Sequence, residues 1–165
     1  DLDALEKGDI RAGLGTVSIN YLISDIARLP KLLGGLRFGT ICSHTVWEHF
    51  LQFDIALRTI KEICAPGGIH YHYIDFVDHK AYTAPERYDF WTFLTAPRNE
   101  YDPLCNKIRC SEMHELIKNV GFGIAEWKPE EADYPAGLRE QLHKDWKHLS
   151  DADLRAIRVS CVLQS

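Results

Sequence analysis

The chain has 165 residues, of which 45% are hydrophobic and 26% charged, the ordinary composition of one globular domain over residues 1–165. Its formal net charge is -5, and no two of its 19 lysines and arginines are adjacent, which argues against a nucleic-acid partner. Apolar runs are only a few residues long, so we expect no membrane span. The five cysteines lack the CxxC spacing of metal sites, and we interpret them as buried, reduced thiols of a cytoplasmic protein.

Hydrophobic periodicity predicts strands that alternate with helices. Strands are predicted at 17–23, 37–43, 69–77, 123–127 and 157–163, and helices at 2–12, 45–64, 111–122, 136–148 and 150–156. Ala-Pro-Gly-Gly at 65–68 should end the second helix, and Ser111 and Ser150 should cap later ones. The pattern predicts an α/β sheet with parallel members, whose last two strands form an antiparallel pair.

An aromatic-rich segment, 78–110, interrupts this alternation. We interpret it as an insertion that carries a short helix near 85–94. Long structured insertions often serve as lids over a binding site, so one interpretation is a lid over an organic substrate. The other is a helix that packs on the sheet through its aromatic side chains.

Polar residues follow three predicted strands. They are Ser24-Asp25-Ile26, Ser43-His44 and the run from Asp75 to His79. Open α/β sheets bind ligands beyond the carboxyl ends of their strands, so we expect these residues to face one cleft. His70 and His72 share one side of their strand and lie too far from His79 to form one site with it. Asp75, Asp78 and His79 could converge on a metal ion, but a substrate pocket with His79 as general base is favoured.

The order of short motifs carries a family resemblance. The motifs are Ser24-Asp25-Ile26-Ala27-Arg28-Leu29-Pro30, Ser43-His44, Val46-Trp47-Glu48-His49, Ala65-Pro66-Gly67-Gly68 and Gly121-Phe122. Together they resemble the second half of a class I S-adenosylmethionine-dependent methyltransferase, type 11-like, over about residues 15–75 and 111–127. The resemblance implies a Rossmann-like sheet, mostly parallel with an antiparallel C-terminal edge. The family's Gly-rich loop has no counterpart, which implies that the N-terminal βαβ segment is missing from this chain.

The resemblance also implies a role for individual residues toward S-adenosylmethionine. Asp25 would accept a hydrogen bond from the adenine amine, and the Ile26 amide would face a ring nitrogen. The alternative for Asp25 is a helix or turn cap, but the adenine role is favoured. Ser43 and His44 would border the methionine end of the cofactor. Asp1 or Asp3 would hold the ribose hydroxyls if the chain begins just after the family's second strand.

We therefore expect methyl transfer from S-adenosylmethionine to a small-molecule acceptor, with His79 and His44 as catalytic residues. His49 is interpreted as a helix residue with a structural hydrogen bond. One alternative is a non-catalytic remnant of the fold that acts as a partner or scaffold subunit, as the absent Gly-rich loop suggests. Another is a metal-dependent enzyme that uses Asp75, Asp78 and His79.

Overall fold

The computed structural model describes residues 22–165. Asp1, the predicted helix at 2–12 and most of the predicted strand at 17–23 lie outside the described residues. The strands are β1 (Phe38–His44), β2 (Cys64–Asp75), β3 (Gly123–Glu131) and β4 (Ala156–Gln164). The helices are α1 (Leu29–Leu33), α2 (Phe53–Ile63), α3 (Lys80–Thr83), α4 (Cys110–Asn119), α5 (Leu138–Gln141) and α6 (Asp151–Arg155). Within this range, no helix is both long and apolar enough to cross a membrane.

The four strands form one mixed sheet in the order β1-β2-β4-β3. β1 and β2 are parallel, whereas β4 runs antiparallel to both β2 and β3. The predicted antiparallel pairing of the last two strands is confirmed. Of the three strand pairings within residues 22–165, one is parallel and two are antiparallel, so the described sheet is mixed; the C-terminal antiparallel pair lies at one end of it, as predicted. In β4 the alternate residues Val159, Cys161 and Leu163 are buried, which suits an interior strand, whereas β3 is largely exposed and forms the edge.

The main core lies between one face of the sheet and helices α2 and α4. α2 buries Phe53, Leu57 and Ile60 at helical spacing, and α4 contributes Met113 and Ile117. Removing such side chains from water drives the packing, at about 1.5–3 kcal/mol for each one fully buried. All five cysteine thiols are free, and four of them are buried as predicted; Cys42 is exposed.

Aromatic residues of the 78–110 segment build a second apolar cluster. Trp91, Phe93 and Leu94 are buried there against Trp146 and other residues of the chain from α5 to α6. The predicted helix near 85–94 is not formed, and only a 3-10 turn at Thr92–Thr95 is present. The aromatics therefore pack mainly on the C-terminal helices. The lid function of this segment stays a prediction.

The chain between β1 and α2 is not helical, contrary to the prediction. Thr45 has a left-handed backbone (φ 48°), a 3-10 turn covers Trp47–His49, and α2 begins only at Phe53. Asn106 explains the difference, because its side-chain amide donates to the carbonyls of Trp47 (3.0 Å) and Phe50 (3.1 Å). A long-range contact thus stabilises a turn at a place where the local spacing predicts a helix.

The Ala-Pro-Gly-Gly sequence is part of β2 and not a separate turn. α2 ends at Ile63, and the pairing of β1 with β2 shifts between Phe38 and Thr40, so these residues bulge out of the ladder. A Cβ on Gly68 would lie 2.4 Å from the Cys64 sulfur and 2.9 Å from a backbone oxygen. Only glycine fits the bulge at this position.

The cap of α4 also differs from the prediction. The helix begins at Cys110, and the Glu112 carboxylate accepts the N–H of the N-cap residue Arg109 at 3.0 Å. Ser111 instead donates its N–H to the Asp153 carboxylate at 2.9 Å. The predicted Ser150 cap of α6 is confirmed, since its hydroxyl accepts the Asp153 N–H at 3.1 Å.

Candidate functional site

Two adjoining depressions lie at the carboxyl ends of β1 and β2. The larger, which we name the histidine pocket, has a volume of about 590 Å³ and is lined by His44, Thr45, His49, Tyr73, Asp75, His79, Tyr82 and Arg158. The smaller, the Asp25 pocket, has a volume of about 290 Å³ and is lined by Asp25, Ile26, Ala27, His49, Phe50, Leu51, Gln52 and Ile55. His49 borders both. The structure thus brings residues from each of the three predicted polar segments to one rim, namely Asp25, Ile26, His44, Asp75 and His79.

The turn after β1 positions one wall of the histidine pocket. Thr45 adopts φ 48°, which a β-branched residue rarely does, and its N–H donates to the Tyr73 carbonyl at 2.7 Å. The ring of His44 stacks on that of Tyr73, with centroids 4.8 Å apart. Strained backbone of this kind is frequent at functional sites.

His79 and Asp75 are a titratable pair in the histidine pocket. Nε2 of His79 lies 3.9 Å from Oδ2 of Asp75, whose side chain is buried. Burial lowers the pKa of His79 below its ordinary value, and the Asp75 charge opposes this shift. His79 is therefore neutral at physiological pH and has a lone pair that can accept a proton. Distances of this length between catalytic groups are common before a substrate binds.

His49 belongs to the same site, although we predicted it to be a structural helix residue. Its Nδ1 donates to the Leu104 carbonyl, so the predicted structural hydrogen bond is confirmed. Because a carbonyl can only accept, the neutral ring keeps its lone pair on Nε2. The ring also meets that of His79 edge-on, with centroids 4.9 Å apart. The sequence signal was its position after a strand end.

Glu48 lies directly behind this histidine pair. Its side chain is buried, and neither carboxylate oxygen has a hydrogen-bond partner within the described residues. The oxygen Oε1 is 3.9 Å from Nε2 of His49. Burial raises the pKa of Glu48, and this effect outweighs the nearby backbone N–H groups and the charge of His49, which lower it.

Ser43 points away from the rim. Its hydroxyl is 2.8 Å from Nδ1 of His72, on the covered face of the sheet. Burial lowers the pKa of His72 to about 3 and that of His70 to about 4, so both rings are neutral core residues. The predicted separation of these two histidines from His79 agrees with their position in the core.

Asp25 occupies the end of its pocket as a cap. Its Oδ1 accepts the N–H of Ala27 at 2.8 Å and so begins the 3-10 turn Ile26–Arg28. The remaining lining is mixed: Phe50 and Leu51 are apolar, whereas His49 and Gln52 are polar. A carboxylate acceptor beside apolar side chains suits a flat heterocycle that carries an amino group.

The proposed metal ligands Asp75, Asp78 and His79 do not converge. Asp78 turns towards α3, where Oδ1 accepts the Lys80 N–H at 2.9 Å. Among residues 22–165, no group of three or more His, Cys, Asp or Glu side chains is arranged to hold a metal ion. The arrangement does not support the metal-dependent alternative.

No family model and no curated protein sequence matches the chain. Solved structures do resemble it. A protein described as an S-adenosylmethionine-dependent methyltransferase from Listeria monocytogenes is 13% identical with a TM-score of 0.52, over 100% of this chain and 77% of that one. Such a methyltransferase from Mesorhizobium loti is 13% identical with a TM-score of 0.50, over 100% and 78% of the two chains. The [4+2]-cyclase SpnF is 15% identical with a TM-score of 0.56, over 99% and 59%. The chain has the fold of the S-adenosylmethionine-dependent methyltransferases.

Proposed function

We propose that the protein transfers a methyl group from S-adenosylmethionine to a small-molecule acceptor. The observation that carries this proposal is the shared rim, where the Asp25 pocket and the histidine pocket meet at His49. In this fold, the carboxyl ends of parallel strands are where ligands bind. One pocket then suits the cofactor and the other the acceptor.

The Asp25 pocket supports binding of the adenine end of the cofactor. Asp25 retains a second carboxylate oxygen beside the one that caps Ala27, and a carboxylate can only accept, which suits an amine donor. Ile26 and Phe50 offer apolar contacts to the ring faces. Bound here, the cofactor would supply an electrophilic sulfonium methyl group to the neighbouring pocket. The predicted contacts of Ser43, His44 and Asp1 with this cofactor stay proposals.

His79 is the proposed general base for the acceptor. Its partly buried, neutral imidazole would take the proton of an acceptor hydroxyl or amine as the new bond forms. Asp75 would then stabilise the imidazolium that results, since their nearest atoms are 3.9 Å apart. His44, stacked on Tyr73, is the second proposed catalytic residue and would contact the acceptor from the opposite wall.

Calorimetry with S-adenosylmethionine tests the proposal. We expect measurable binding to the chain, and a loss of affinity of about tenfold in Asp25→Ala, the effect of one charge-assisted hydrogen bond. Glu86→Gln is the control, because this carboxylate is exposed and its one ion pair within the described part of the chain is with Arg87. The absence of binding at millimolar cofactor would overturn the proposal and favour the scaffold alternative.

A second candidate is a methyltransferase fold that catalyses a different reaction. It is favoured by the similar structure described as a [4+2]-cyclase. Cofactor binding without methyl transfer to any acceptor in a panel of phenols, amines and thiols would favour this candidate. Incorporation of label from methyl-labelled cofactor into one of these acceptors would exclude it.

A further inference from the structure

Donors hold both oxygens of the Asp75 carboxylate, including Oδ2, the oxygen that lies 3.9 Å from Nε2 of His79. The hydroxyl of Tyr82 donates to Oδ2 of Asp75 at 2.7 Å, and a guanidinium nitrogen of Arg158 donates to the Tyr82 oxygen at 3.0 Å. Nε of Arg158 is itself 3.9 Å from Oδ2 of Asp75. The Val77 N–H donates to the other oxygen, Oδ1, at 3.2 Å. The buried carboxylate is therefore fixed in one orientation.

The strand register explains why these residues meet. Arg158 on β4 is directly opposite Asp75 on β2 and opposite Glu130 on β3. Its guanidinium lies 3.6 Å from the Glu130 carboxylate, which also accepts the Tyr73 hydroxyl at 2.9 Å. Cross-strand pairs of opposite charge stabilise a sheet. Arg158 is thus held between two carboxylates.

Tyr82 comes from a different part of the chain. It lies on α3 at the start of the 78–110 segment, and its ring is 5.7 Å from that of His79 between centroids. About half of its surface is exposed to the histidine pocket and solvent. The hydroxyl is therefore the only link by which this segment reaches Asp75 among the hydrogen bonds of the described residues.

We propose that Tyr82 and Arg158 are positioning residues that hold the Asp75 carboxylate beside Nε2 of His79 and reduce the share of its charge that reaches the imidazole. A role of Tyr82 and Arg158 in catalysis rests on the proposed function. Their electrostatic effect on His79 is independent of that function, because it follows from contacts within the chain. A donor to one carboxylate oxygen draws negative charge towards itself and away from other partners.

The groups that face His79 set the direction of the expected change. They are Asp75, Asp78, His49, Asp102 and the ring of Tyr82. Asp75 has the largest charge effect among them and raises the pKa of His79 against the larger effect of burial. Without the Tyr82 hydroxyl, the Asp75 carboxylate attracts the protonated ring of His79 more strongly. The pKa of His79 should therefore rise.

Titration of the histidine ring signals by NMR tests this inference. In Tyr82→Phe we expect the His79 midpoint to rise by about 0.5 pH unit or more, the size of a weak charge effect. Tyr101→Phe is the matched control, because this tyrosine is 75% exposed, and its His79 midpoint should equal that of the wild type. An unchanged midpoint in Tyr82→Phe would overturn the proposal.

Arg158 provides an independent variant. Arg158→Gln removes a positive charge near Asp75 and should raise the His79 midpoint in the same direction, whereas Arg158→Lys should restore most of the wild-type value. If Arg158 had a purely structural role, the His79 midpoint would be the same in the wild type, Arg158→Gln and Arg158→Lys. This result would also overturn the proposal, even if Tyr82→Phe failed to fold.

The activity measurement separates this inference from the proposed function. If the protein transfers methyl groups, Tyr82→Phe should lower kcat about fivefold to twentyfold with little change in KM, because Tyr82 positions the carboxylate that accompanies the general base His79. The acid limb of the pH–rate profile should move to higher pH together with the His79 midpoint. An unmoved acid limb would contradict the positioning role. An absence of methyl transfer with a shifted midpoint would refute only the proposed function.

Discussion

Two neutral histidines in the core should make the protein sensitive to mild acid. His70 is fully buried and His72 is 3% exposed, and their rings are 5.8 Å apart between centroids. His72 also lies against the ring of Trp47, with centroids 3.9 Å apart. Within residues 22–165 no Asp or Glu side chain forms an ion pair with either ring, so protonation would bury a charge that no acidic side chain of this range offsets. Replacing His72 by Gln removes one titrating group and retains a partner for the Ser43 hydroxyl.

The size of the effect follows from the difference in proton binding between the folded and unfolded states. Burial lowers the pKa of His72 to about 3 in the folded protein, against 6.5 in the unfolded chain. Below pH 6.5 the unfolded state therefore binds the extra proton, and stability falls as pH decreases, by about 1.4 kcal/mol per unit. From pH 8 to pH 5 this histidine should remove about 2 kcal/mol of unfolding free energy. His70, with a pKa of about 4, should remove a similar amount over this range.

Urea denaturation at pH 8 and pH 5 measures this loss. We expect the decrease in unfolding free energy between the two pH values to be about 2 kcal/mol smaller in His72→Gln than in the wild type. His148→Gln is the control, since 59% of that side chain is exposed, and it should keep the wild-type decrease. Any constant destabilisation by the substitution cancels in the difference. An equal decrease in His72→Gln and wild type would refute the argument.

Three further substitutions test local features of the fold by the same denaturation assay. Thr45→Asn should raise the unfolding free energy by about 1 kcal/mol, because Asn tolerates the left-handed backbone at φ 48° better than Thr does; a loss of stability would contradict strain there. Gly68→Ala should lower the unfolding free energy by about 1–3 kcal/mol, because the added Cβ would clash with Cys64. Gly39→Ala should lower it far less, because a Cβ there meets nothing within 4 Å. Similar losses of unfolding free energy in the two variants would contradict the bulge. Arg109→Met should cost at least about 3 kcal/mol, because it removes the donors to three buried backbone carbonyls; a near-neutral effect would show that these carbonyls find other partners.

Local patterns predicted the strands better than the helices. Period-two alternation located β4, whose alternate residues are buried, and the polar strand ends pointed to the rim where Asp25 and His79 lie. The helix predicted from Thr45 was wrong because Asn106, far along the chain, binds the Trp47 and Phe50 carbonyls and stabilises a turn. The hydrophobic periodicity of a segment cannot predict a contact with a residue so far away in the chain.

Three residues of the histidine pocket, Tyr82, Arg158 and His49, could not be predicted from the sequence for a similar reason. Arg158 meets Asp75 only through the register of two antiparallel strands, and Tyr82 arrives from an irregular segment. His49 looked like an ordinary helix residue until the turn placed it between the two pockets. These positions depend on tertiary packing, about which the short-range spacing of residues carries no information.

The central claim is that S-adenosylmethionine binds across the rim shared by the two pockets. The most direct test is a titration of the cofactor followed through the ring signals of the eight histidines by NMR. We predict the largest shift at His49, smaller shifts at His44 and His79, and none at the remote His114 and His148. Unchanged signals at millimolar cofactor, or shifts confined to His114 and His148, would contradict the account.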